Sequence, residues 1–306
     1  DPAEVLGRVE REAAHHAHAP RRPAIATDCA DRLSRVLDDR GGVAASAGSR
    51  QHGTPPERKI GRQIWGAVLG VVTQFQPDVI LHCAAFTAVD LCEEQAETAW
   101  RANALATRFI ADGARRLGAH LVYISTDYVF DGTKAGPYLE WDRPNPQSVY
   151  GRSKLGGELE VDPAWSIVRT SWVCGEHGNN MVKTLLRLGE GSGPLSFVDD
   201  QIGHPTFTSD LADMVIKLGR ERVPGTFHCT NQGAVSGYQF ARTVFELAGF
   251  DAERISPIPT AQLNPPRPAV RPSNSVLDNF AWRHHGFAES RHYIEPLTEL
   301  LAALQT

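Results

Sequence analysis

The chain has little that would commit it to a membrane, to nucleic acid or to an oxidising compartment. No apolar run in its 306 residues approaches the roughly 20 needed to cross a bilayer. The N-terminus lacks the apolar core of a signal peptide. Basic residues are in no excess. The formal net charge is -5, and no stripe of Lys and Arg is interleaved with aromatics, which argues against nucleic acid as a partner. Cys29, Cys83, Cys92, Cys174 and Cys229 are scattered, with no Cys-x-x-Cys spacing. They are expected to be free thiols in a reducing cytoplasm. His15, His16 and His18 have no further ligand at a fixed spacing, so no metal is expected. There is no internal repeat. Length and a 42% hydrophobic fraction suit one large α/β unit with an attached lobe.

A further scarcity bears on chemistry. After an Ala-, Arg- and His-rich leader, residues 1–22, the pattern reads strand, helix, strand. Pro23 to Thr27 is a short buried strand. Asp28 to Asp39 is a helix with Leu33, Val36 and Leu37 at helical spacing, stopped by Gly41-Gly42. Val43 to Ser46 is a second strand. Such a βαβ opening is the usual seat of a dinucleotide and calls for Thr-Gly-x-x-Gly-x-x-Gly at its first turn. The residues there run Thr27-Asp28-Cys29-Ala30-Asp31-Arg32-Leu33-Ser34, so Asp28, Asp31 and Ser34 fill the glycine positions. Glycine lets a pyrophosphate approach the backbone. Aspartates would occupy the helix N–H donors and repel phosphate, although Asp28 also makes an ordinary N-cap. The cofactor is then bound poorly, bound differently, or not bound. Arg50, after the second strand, is placed to meet a 2′-phosphate, but a loop arginine is more often plain surface.

What is present points to catalysis. Gln51 to Arg62 reads as a loop and Ile64 to Phe75 as a helix. Val79 to Ala85 has no polar alternation, as in a strand buried on both faces of a parallel sheet. Glu93 to Leu117 reads as one helix containing Asn103. A mid-helix Asn is usually solvent-facing, but in this kind of fold it can bond the active-site backbone. His120 to Ile124 is a strand that delivers Ser125, Thr126, Asp127 and Tyr128. A polar loop follows to Ser148, and then a helix bearing Tyr150 and Lys154. Four apart, these two lie on one face, where the ammonium is expected to bring the phenol pKa down toward the working range. Ser166 to Thr170 is the next strand. Beyond it the alternation loosens, with a helix expected to be N-capped by Ser209 and a proline-rich stretch from Pro257 to Pro272.

Val79-Ile-Leu-His-Cys-Ala-Ala-Phe-Thr-Ala-Val-Asp90, Ser125-Thr-Asp-Tyr-Val-Phe-Asp-Gly132, Ser148-Val-Tyr-Gly-Arg-Ser-Lys-Leu155, Arg169-Thr-Ser-Trp-Val173 and Asp199-Asp-Gln-Ile-Gly-His-Pro-Thr206 together resemble the dTDP-4-dehydrorhamnose reductases. These are extended short-chain dehydrogenase/reductases of nucleotide-sugar metabolism. The resemblance implies a Rossmann-type doubly wound parallel sheet over residues 23–170, and a smaller substrate lobe, residues 171–306, with segments returning to the sheet. It implies NADPH or NADH as hydride donor to C4 of a nucleotide-linked 4-keto-6-deoxysugar. Tyr150 would give the proton, Lys154 would hold the nicotinamide ribose, and Thr126 would bond the carbonyl. Ala84, Ala85 and Thr87 would line the cofactor. Asp127, Tyr128 and Trp172 would face the sugar, and Arg267 the phosphates. A homodimer is compatible with this. Plainer readings exist: core aromatics for Tyr128 and Trp172, and a charge flanking prolines for Arg267. A non-catalytic relative acting as a regulatory or binding subunit is the competing reading, because of Asp28, Asp31 and Ser34.

Overall fold

Among the described residues four parallel strands form the sheet: β1 (Val79–His82), β2 (His120–Thr126), β3 (Ser166–Thr170) and β4 (Gly225–His228), adjacent in that order. This is a computed structural model describing residues 56–305, with side chains from residue 66 onward. The leader, the expected Pro23 to Ser46 unit, Asp28, Asp31, Ser34 and Arg50 lie outside the described residues.

The strands lack alternation because both faces of the sheet are covered. Ile80, Leu121 and Tyr123 face helix α1 (Pro56–Phe75) and helix α2 (Ala106–Leu117) through Val68, Val72 and Ile110. Leu81, Val122 and Val168 face helix α4 (Thr208–Glu221) through Leu211, Val215 and Leu218. Leu121, Val122 and Val168 are wholly buried, each contributing about 1.5–3 kcal/mol. Between β2 and β3 runs α3 (Val149–Glu158). Parallel order with helices on both faces is the doubly wound α/β arrangement expected.

A separate apolar cluster forms from later residues, including Val182, Leu185, Phe207, Phe240, Phe245 and Leu297. Its strands are short, with Leu195–Val198 pairing in parallel with Ile255–Ile258. Its helix Gly237–Ala248 starts on a reciprocal Ser236/Gln239 capping box.

Three local expectations change. The Gln51 to Arg62 loop is helical from Pro56, a residue favoured at the first helical position because its missing N–H costs nothing there. The single helix expected over Glu93 to Leu117 is broken into Val89–Glu94, Ala96–Trp100, a π-turn at Arg101–Leu105, and α2. Ser209 is not an N-cap. Helix α4 already starts at Thr208, and the backbone N–H of Phe207 before it donates to Asn231 Oδ1 at 2.9 Å.

Candidate active site

The C-terminal end of β2 meets the first turn of α3, and the contact is close because the helix is glycine-rich. A Cβ at Gly151 would lie 2.2 Å from the Tyr128 carbonyl oxygen, and one at Gly157 2.4 Å from the Asn103 carbonyl oxygen. Neither backbone atom can rotate away, so only glycine lets α3 settle against β2 and the π-turn. Ser148 caps the helix by accepting from the Gly151 N–H at 3.1 Å.

Thr126 ends β2. Its hydroxyl donates to Asp127 Oδ1 at 3.0 Å and accepts from the Tyr128 N–H at 3.2 Å. The same hydroxyl faces the Tyr150 phenol, whose ring meets Tyr128 edge-on at 5.5 Å. Burial pushes the Tyr150 pKa upward, with the Thr126 contact opposing it. Lys154 is 2% exposed. Its ammonium donates to the Ile124 carbonyl at 2.5 Å and sits 4.2 Å above the Tyr123 ring. Burial brings its pKa down to about 7, against the opposing charge of Glu158. The expectation that Lys154 lowers the Tyr150 pKa is therefore not met in this geometry. The ammonium is engaged by the strand, and desolvation dominates the phenol. Tyr150 therefore carries its proton at every ordinary pH, but as a weaker acid than a phenol tuned toward the operating pH.

Asn103 is fully buried in the π-turn, and here the less common of its two expected placements holds. Its Oδ1 accepts from the Phe86 N–H at 2.7 Å, and its Nδ2 donates to the Phe86 carbonyl at 3.1 Å and to Ser153 Oγ at 2.9 Å. One side chain thus ties the segment leaving β1 to the Tyr150 helix. Ala84, Ala85 and Thr87 flank Phe86, which packs in one cluster with Tyr150 and Tyr128. Ala84 and Ala85 are half-buried and Thr87 is exposed.

Under Lys154 lies a buried network that sequence reading missed. Ser125 Oγ donates to Glu158 Oε1 at 2.5 Å, and Arg169 Nη2 donates to Glu158 Oε2 at 2.7 Å, with both charged side chains nearly inaccessible. Glu158 stands one turn beyond Lys154, a spacing that could have flagged it.

Trp172 is held at φ 43, uncommon for a bulky residue and typical of functional sites. Its indole lies against Gly203, where a Cβ would come within 3.1 Å of Trp172 Nε1 and 2.9 Å of Ser275 Oγ. Ser275 faces Asp127, so Asp127 and Trp172 are joined through Gly203, which lies in a quoted motif, and Ser275, which does not. Arg267 is exposed, near Tyr128.

Asp127 is buried with no hydrogen bond of good geometry at Oδ2. Burial raises its pKa from 3.8 to about 6, with the Ser275 and Thr126 hydroxyls opposing. Between those pH values the folded state holds more protons than the unfolded state, so stability falls as pH rises through the window. The contribution, roughly 2–3 kcal/mol, is complete below pH 3.8. Asp127→Asn is expected to remove that slope from the wild-type curve. Urea midpoints measured from pH 4 to 7 check this, and parallel curves for the two proteins would refute it.

Among the described residues no group of His, Cys, Asp and Glu is placed to hold a metal, and no helix is long and apolar enough to cross a membrane. Cys83, Cys92, Cys174 and Cys229 are free thiols.

A parallel doubly wound sheet whose second strand presents a threonine to a tyrosine and lysine four apart defines an extended short-chain dehydrogenase/reductase type. The chain belongs within it to the dTDP-4-dehydrorhamnose reductase family: the profile of the RmlD substrate binding domain matches residues 44–306. It is 42% identical over 235 residues to the dTDP-4-dehydrorhamnose reductase of Mycobacterium tuberculosis, covering 74% of this chain and 77% of that protein. A dTDP-4-dehydrorhamnose reductase from Clostridium acetobutylicum superposes with a TM-score of 0.76 at 44% identity, covering 79% of this chain and 87% of that one. One from Bacillus anthracis, solved in complex with NADP, gives 0.75 at 37% identity, covering 78% and 85%.

Proposed function

We propose that this chain reduces the C4 ketone of a dTDP-linked 4-keto-6-deoxysugar with NADPH or NADH. The observation that carries the reading is the meeting of Thr126, Tyr150 and Lys154 at the C-terminal end of a parallel strand, in a chain whose relatives are named for this reaction. The donor set fits a dinucleotide. The Lys154 ammonium makes one hydrogen bond among the described residues, which leaves N–H donors for ribose hydroxyls. When bound, the nicotinamide supplies the hydride. Tyr150 is the acid that protonates the sugar oxygen, and Thr126 bonds that oxygen and orients it. Lys154 holds the ribose. Ala84, Ala85 and Thr87 border the cofactor, with Phe86 between them locked by Asn103. Asp127, Tyr128 and Trp172 face the sugar, and Arg267 faces the phosphates. The lobe after Thr170 serves as the substrate-binding part, and the reaction belongs in the cytoplasm.

The non-catalytic reading rests on Asp28, Asp31 and Ser34, which lie outside the described residues. Cofactor titration separates the two. Submillimolar NADPH or NADH affinity, by calorimetry or fluorescence, is expected together with substrate-dependent cofactor oxidation. No binding at millimolar cofactor would overturn the enzyme reading.

A further inference from the structure

Asp90 stands just past the segment that leaves β1. Its carboxylate takes both ends of the Arg271 guanidinium, Nη1 at 2.8 Å and Nη2 at 2.6 Å, and also the Ala269 N–H at 3.1 Å. The two residues are 181 positions apart in sequence, so this one pair joins the proposed cofactor edge to the proline-rich stretch. Arg271 is thereby saturated on its carboxylate-facing edge, and it also faces the Tyr128 hydroxyl. C-terminal to Arg271 the stretch is clamped. Ser273 Oγ donates to the Gly132 carbonyl, and Asn274 Nδ2 to the Lys134 and Gly136 carbonyls. On its N-terminal side, Arg267 makes neither a hydrogen bond nor an ion pair among the described residues, while its charge and that of Arg271 are both felt at Tyr128. Two arginines of one segment therefore divide their work: one is a strut, and the other has its donors open.

We propose that the Asp90–Arg271 pair is a positioning device. It holds the Pro265 to Pro272 strap so that Arg267 meets the diphosphate end of the substrate beside Tyr128, and Asp90, although on the cofactor side, sets affinity for the nucleotide sugar. The inference rests on the function proposed above. An isolated surface pair contributes little, but this one is bidentate, partly buried and backed by a backbone N–H, the geometry in which such pairs do hold a segment.

The test uses the full chain and Asp90→Asn, with dTDP as the binding probe. Asp90→Asn is expected to weaken dTDP binding and raise the KM for the 4-keto sugar at least tenfold. It should leave kcat and the Kd for NADPH within about twofold, and amide exchange in 265–272 should quicken. Asp90→Glu is expected to restore most of the dTDP affinity. A purely structural role would instead lower Tm and depress kcat and NADPH binding together. That outcome, or unchanged dTDP affinity in Asp90→Asn, overturns the proposal. Wild-type protein that binds NADPH but not dTDP would overturn the functional reading itself and this inference with it.

Discussion

Tyr150→Phe is expected to lower kcat by roughly 100- to 10,000-fold, the range spanned by loss of a positioned general acid. The substitution removes one oxygen and keeps the ring that packs with Cys92, Ala99, Val149 and Tyr128. Fold and cofactor affinity should therefore survive, and the loss should fall on kcat and kcat/KM alike. Burial holds the Tyr150 pKa above its usual value, so the wild-type phenol is protonated throughout the neutral range. No part of the rate should then follow a phenol titration near pH 7. Steady-state kinetics with an NADPH titration of the same variant check this. A variant that keeps more than a tenth of wild-type kcat would remove Tyr150 from the reaction.

The second large effect is on stability. Glu158→Ala is expected to cost about 3–5 kcal/mol, because it leaves the Arg169 guanidinium buried without its counter-charge. Arg169 would keep its bond to the Glu140 carbonyl and its place over the Phe130 ring, neither of which neutralises it. Ser125 would lose its acceptor as well. Replacing both charges, Glu158→Leu with Arg169→Met, should recover most of the loss, since a matched apolar pair of similar volume leaves nothing unpaired. Urea denaturation of the single and double variants measures the difference. A single variant within about 1 kcal/mol of wild type would mean that water reaches the network and solvates the arginine.

Some of this was legible in residues alone. Val79 to Ala85 lacks polar alternation, which suffices to place it inside a two-faced parallel sheet, and His120 to Ile124 and Ser166 to Thr170 read as the strands that follow it. Tyr150 and Lys154 at helical spacing, with Thr126 at a strand end, name the chemistry, and the five longer motifs together name the family. Sequence reading went astray where the answer depended on what lies opposite. It paired Lys154 with Tyr150, the neighbour that periodicity offers. The fold gives Lys154 the Ile124 carbonyl and the Tyr123 ring, which belong to a strand about 30 residues earlier. It ran one helix from Glu93 to Leu117, because propensity cannot foresee that Asn103 bonds the Phe86 backbone and widens the turn around it.

The sequence by itself determined the parallel sheet, the acid and its helix, and the family, because period, apolar runs and short motifs are local properties of the chain. Only the tertiary structure decided which groups the acid, the ammonium and the two strap arginines meet. Those partners are brought together by burial across tens to hundreds of residues, and desolvation and hydrogen bonding there depend on what is adjacent in space.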